Sequence, residues 1–106
     1  MAMSIETSGD TVAVRVEGQL TLGNRTELQQ LVLDALAHGA RHVVVDLAAS
    51  GYVDSAGLGT LVLLARRART GGGELRVANA NEDVRALIVL TKLDTVFGLD
   101  AAPIAA

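Results

Sequence analysis

Asp54-Ser55 sets a carboxylate beside a hydroxyl, and two small residues follow at Gly57 and Gly59. Four chemistries use such a group. A serine nucleophile needs a general base and an oxyanion hole, and the nucleophile elbow carries glycine two residues to either side of the serine. Here those positions are Val53 and Gly57, and the histidines, His38 and His42, both precede the serine, against the order of the α/β-hydrolases, although triads vary in order. The series Gly51, Gly57, Gly59 suggests a phosphate loop, but a Walker motif needs Gly-Lys-Ser/Thr, and residue 58 is leucine where that lysine would need to precede the hydroxyl. That excludes a nucleotide-hydrolysing P-loop and leaves a backbone anion site at a helix start.

The third chemistry is capping. Asp54 or Ser55 can accept a bond from a free first-turn amide, a contribution of about 1 kcal/mol for typical caps. Yet glycine weakens a helix by roughly 1 kcal/mol relative to alanine, so two of them ask for a reason besides helix stability. A closely approaching partner surface supplies one. The fourth is phosphoryl acceptance: a phosphate on Ser55 would sit at the positive helix end and add a charge of about −2 beside Asp54. The fold would persist and the surface would change, which is the physics of a binding switch.

The elements that position this group read out of the periodicity. Thr11 to Glu17 alternates, with Val12, Val14 and Val16 on one face, and Met3 to Thr7 is its hairpin partner through Ser8-Gly9-Asp10. After Gly18 the period becomes helical: Leu28, Leu31, Val32, Ala35 and Leu36 recur, Asn24 and Glu27 form a capping-box-like start, and Gly39 is the stop. His42 to Leu47 is a short β-branched run suited to a central strand, and Ala48 to Asp54 is expected as the loop leaving it.

A second amphipathic helix starts at Ser55, carries Leu58, Leu61, Val62, Leu64 and Ala65, and ends in Arg66, Arg67 and Arg69 before three glycines. Glu74 to Ala78 alternates as a fourth strand, a third helix runs from Asp83 to about Leu90, and Thr95 to Leu99 can form an edge strand. Successive β-α units with one wet strand face predict an α/β fold: a mostly parallel sheet, an antiparallel N-terminal hairpin and every helix on the same face.

Composition narrows the function classes. A chain of 106 residues, half of them apolar, supports one compact domain, taken as residues 1–106. Net charge of −3 provides no field for a polyanion, and one tyrosine, one phenylalanine and no tryptophan leave little for base stacking, so direct nucleic-acid binding is not expected. Without cysteine, and with two histidines, no metal site or other cofactor is expected. The N-terminus lacks a basic start leading into an apolar run, and even the longest apolar stretches, such as Leu61 to Ala65, are far short of a span, so the expectation is a cytoplasmic protein away from the membrane.

At these residues the chain resembles the STAS family, in particular bacterial anti-sigma factor antagonists. The resemblance rests on the opening hairpin, Gly18-Gln19-Leu20, Val44-Val45-Asp46-Leu47, Asp54-Ser55-Ala56-Gly57-Leu58-Gly59, Gly72-Gly73-Glu74-Leu75 and Leu93-Asp94-Thr95-Val96-Phe97, and covers essentially residues 3 to 99. It implies a β/α superhelix that is not an enzyme. When unphosphorylated, such a protein binds an anti-sigma factor, a serine kinase of the histidine-kinase-like ATPase fold, and so frees the sigma factor. Phosphorylation of the serine after the aspartate, here Ser55, ends the binding, and a PP2C-type phosphatase removes the phosphate. The partner surface implied comprises Thr21, Asp54, Ser55, Ala56, Gly57, Leu58 and Gly59, on a monomer or weak homodimer.

Three departures stand out. The family's first loop commonly reads Gly-Glu-Leu-Asp, whereas Gly18-Gln19-Leu20-Thr21 removes both acids and implies a different or weaker kinase interface. Relatives usually carry another C-terminal helix, which Asp100 to Ala106 can barely begin. Ala56 stands where relatives often have Ser or Thr, so Ser55 has no adjacent acceptor; Ser50, Thr60 and Thr70 read as ordinary loop or helix hydroxyls. The alternative is a constitutive STAS subunit of a larger signalling or transport assembly, in which Ser55 is only a cap.

Overall fold

The computed structural model describes residues 3–93 and 98–99. Among the described residues ten elements follow one another: β1 (Met3–Ser8), β2 (Thr11–Val16), β3 (Gly18–Leu20), α1 (Arg25–Ala37), β4 (His42–Asp46), β5 (Ser50–Val53), α2 (Ser55–Thr70), β6 (Glu74–Ala78), α3 (Glu82–Leu90) and β7 (Gly98–Leu99). The main sheet has the order β1-β2-β4-β6-β7, antiparallel only between β1 and β2. Each helix is the crossover between two neighbouring parallel strands.

The alternation decides which face is dry. Val12, Val14 and Val16, Val43 and Val45, and Leu75 and Val77 are buried against Leu28 and Val32 of α1, Leu61, Leu64 and Ala65 of α2, and Val84 and Ile88 of α3. The opposite face carries Arg15, Asp46 and Arg76, so the helices lie on one side, as expected from strands with one wet face. This core is aliphatic throughout, and at about 25 cal/mol per Å² of buried apolar surface it is the main favourable contribution to folding.

Helix ends follow their sequence signals with one exception. At the end of α2 the Gly73 N–H donates to Ala68 O and the Gly72 N–H to Arg69 O, a Schellman pair that needs the positive φ of Gly72. The exception is the start of α1. Asn24 does not cap the helix with its side chain. Its Oδ1 instead accepts from the Thr21 N–H at 2.8 Å and its Nδ2 donates to Gln19 O at 2.7 Å, so the expected capping box is replaced by a brace on the preceding loop.

The structure also corrects the expected loop at Ala48 to Asp54. Ser50–Val53 is a strand, β5, and it pairs in parallel with β3 as a separate two-stranded sheet. Neither strand has its own pattern: both are three or four residues, each contains glycine, and their pairing joins residues about thirty apart. The third helix begins one residue earlier than expected, after Asn81, whose Oδ1 accepts from the Val84 N–H at 2.8 Å. Of the expected edge strand Thr95 to Leu99, Gly98–Leu99 pairs with Arg76 and Val77 of β6; 94–97 and 100–106 lie outside the described residues.

Candidate functional site

The small β3–β5 sheet exists to bring two chain reversals together. Leu20, fully buried, ends β3, and its carbonyl accepts from the Asp54 N–H at 3.1 Å. Asp54 is thereby held where β5 hands over to α2. Its carboxylate spans both reversals: Oδ1 accepts from the Gly57 N–H at 2.7 Å and Oδ2 from the Leu22 N–H at 3.2 Å. Asp54, not Ser55, is the N-cap of α2, and it also fastens the loop that leads into α1.

Those hydrogen bonds favour the charged carboxylate. The Gly57 N–H is the largest influence holding Asp54 below the ordinary carboxylate range; partial desolvation opposes it, and the Leu22 and Ala56 amides and the Arg25 charge reinforce it. The 21–24 loop is braced from within as well, with the Gly23 N–H on Thr21 Oγ1 and the Arg25 N–H on Thr21 O. Thr21 therefore sits half-buried at a fixed corner beside the α2 terminus.

Ser55 is the first residue of α2 and is exposed, and among the described residues no side chain or backbone group hydrogen-bonds its hydroxyl. Neither imidazole is placed with it. His38 Nδ1 lies 2.8 Å from Asp34 O at the end of α1, and His42 Nδ1 is 3.4 Å from Glu74 Oε2 at the start of β4, the opposite end of the sheet from α2's first turn. The other hydroxyls singled out are engaged: Ser50 Oγ donates to Tyr52 O, Thr60 Oγ1 to Ala56 O and Thr70 Oγ1 to Arg66 O.

The glycines and Leu58 divide in a way the sequence did not distinguish. A Cβ on Gly57 would collide with Leu20 O and lie 2.9 Å from Leu20 Cγ, so this glycine is demanded by the chain's own β3, not by an outside surface. Leu58 points into the core at 7% exposure. Both were expected on the contact surface; in the structure both are buried, because the turn of α2 that faces Leu20 is dry. Gly59 differs: it is exposed and a Cβ there meets nothing within 4 Å.

What remains outward is a strip of Ser55, Gly59 and Leu63, spaced four residues apart on α2, with half-buried Ala56 and Val62 at its side. Leu63 is 43% exposed, and Leu22, at 64%, stands on the loop that Asp54 fastens. Sequence reasoning missed both leucines. Leu63 could have been found as an apolar residue off the buried helical stripe; Leu22, in a loop between threonine and glycine, carries no periodic signal at all. The strip is small-toothed and apolar around one free hydroxyl.

Comparison with known proteins places this geometry. The family model described as STAS domain matches residues 2–105. A STAS-domain containing protein of Pseudomonas aeruginosa is 26% identical over 89 residues, covering 84% of this chain and 87% of the relative. The crystal structure of an anti-sigma factor antagonist from Mycobacterium paratuberculosis matches with a TM-score of 0.83 at 25% identity, over 95% of this chain and 86% of the other. SpoIIAA, a Bacillus anti-sigma factor antagonist, shares the fold in its unphosphorylated form, with a TM-score of 0.77, 18% identity and coverage of 95% of this chain and 89% of SpoIIAA. Its phosphorylated form gives 0.76 at 19%, over 94% and 92%.

Proposed function

This chain belongs to the STAS domain family, and from that premise we propose that it is an anti-sigma factor antagonist switched by phosphorylation of Ser55. Unphosphorylated, it binds an anti-sigma factor that is also a serine kinase of the histidine-kinase-like ATPase fold, and the sigma factor is released. A PP2C-type phosphatase reverses the modification. The reaction chemistry belongs to those partners, and this chain supplies the acceptor and the docking strip.

The observation that carries the reading is the state of the Ser55 hydroxyl. It is exposed and unbonded on the first residue of α2, while the neighbouring Asp54 does the capping. A hydroxyl engaged in the fold would have to break a bond before accepting a phosphoryl group; this one has none to break. The α2 terminus favours the added negative charge, and Asp54 disfavours it by proximity, so the modified surface differs strongly from the bare one.

Incubation with the cognate kinase and ATP, followed by intact-mass measurement, should add one phosphate to the wild type and none to Ser55→Ala. Phosphate on another residue, or none with a kinase that binds, overturns the acceptor assignment. Because Ser55 is not the cap, Ser55→Asp leaves the helix start intact and should still lower kinase affinity at least tenfold, an estimate from bringing an unpaired charge into a contact surface. Unchanged affinity would identify a constitutive interaction module instead.

A further inference from the structure

The β1 edge of the main sheet presents six residues, every one after Met3 exposed. A long unpaired edge is a template for another strand unless charge, proline or a bulge blunts it, and β1 carries a single charge, Glu6, with no proline and a regular register against β2. Its dry-face side chains, Met3, Ile5 and Thr7, continue the buried row of Val16, Val14 and Val12, but Ile5 remains 41% exposed. Beside it lies a groove of about 420 Å³ between β1 and α1, floored by Ile5, Thr7, Leu31 and Ala35 and rimmed by Asp34 and His38.

We propose that this edge is a homodimer interface in which β1 pairs antiparallel with β1 of a second copy about a two-fold axis at Ile5, continuing the sheet across both subunits. The occupant is fixed by self-complementarity. Centred on Ile5, the pairing sets Ile5 against Ile5 and Met3 against Thr7 on the groove side, and Ser4 against Glu6 on the wet side. Glu6 never meets itself. On the wet face Ser4 is already opposite Arg15 of β2, so each Glu6, which stands diagonal to its own Arg15, also comes to lie one small serine away from the other copy's Arg15. Among the described residues neither Arg15 nor Glu6 has an ion-pair partner within its own chain. The pairing joins them twice, and the grooves, with Leu31 and Ala35, face one another across the axis.

The antiparallel arrangement turns the two strand ends that carry Ser55 in opposite directions, so the interface leaves both docking strips open. The proposal goes beyond the functional reading and does not depend on it. Sedimentation equilibrium over a concentration series should show a reversible monomer–dimer system, and amide exchange across 4–7 should slow as the dimer fills. Glu6→Arg should weaken association roughly tenfold by facing Arg15 with like charge, and Glu6→Arg with Arg15→Glu should restore it. Ile5→Lys, on an exposed side chain, should abolish it with an unchanged circular dichroism spectrum. A monomer at every concentration, or a dimer untouched by Ile5→Lys with no protection across 4–7, overturns the proposal; kinase binding is measured separately and is unaffected by either result.

Discussion

Asp54 is the residue on which the site turns, because one carboxylate holds two chain reversals through backbone N–H groups of Gly57 and Leu22. Its folded pKa lies below its unfolded one, so its contribution to stability is complete above the unfolded value and is lost as pH falls through the folded value. Thermal melts should therefore fall more steeply on acidification below the ordinary carboxylate range for wild type than for Asp54→Asn, which keeps a capping oxygen but does not titrate. Parallel pH profiles would mean that the two hydrogen bonds do not govern the helix start. The glycines make an opposed pair of tests. Gly57→Ala forces a methyl into Leu20 O, and even after the helix-propensity gain it should cost about 1–3 kcal/mol in urea denaturation. Gly59→Ala meets open space and should instead stabilise by about 0.5–1 kcal/mol, while weakening the kinase complex if the partner backbone seats against α2 there.

At the scale of elements, the small β3–β5 sheet is the part that the functional reading most needs and the part least legible beforehand. Leu20→Ala should cost about 3 kcal/mol by leaving a cavity at a fully buried position, and the Leu22 amide should exchange faster, because the buried Leu20 side chain fixes the backbone whose carbonyl holds Asp54 and faces the Gly57 turn. Gln19→Ala, at an exposed position one residue earlier, should stay within about 0.5 kcal/mol. Urea unfolding of the two variants checks the contrast. The hairpin, α2 and β6 were legible because burial repeats at their own period: Val12, Val14 and Val16 every second residue, Leu58, Leu61 and Ala65 at helical spacing. β3 and β5 have no room for a period, and their identity lies in the partner strand. Likewise Asn24 and Glu27 satisfy the capping-box pattern, but the Gln19–Thr21 loop is a better-placed customer for the Asn24 amide, and only tertiary structure reveals that competition. The Asp54-Ser55 pair was legible as a unit; which of the two caps and which is free was not, since both residue types do either.

For the molecule as a whole, a switch of this kind must change what binds without changing what folds. Phosphorylation of Ser55 would take the net charge from −3 to about −5 and add the charge at one exposed position, outside the aliphatic core that holds the sheet to its helices. The α2 terminus would offer amide dipoles to the new oxygens while Asp54 would oppose them, two effects of opposite sign. Phosphorylated protein should therefore melt within a few degrees of the unmodified protein, on the order of 1 kcal/mol in a domain of this size, and give the same far-ultraviolet circular dichroism spectrum. Kinase affinity, measured on the same two samples by calorimetry, should fall by orders of magnitude. A phosphorylated form that melts early, with faster amide exchange through 55–60, would show instead that the modification acts by unravelling the first turn of α2, and the docking strip would then be lost by disorder and not by charge.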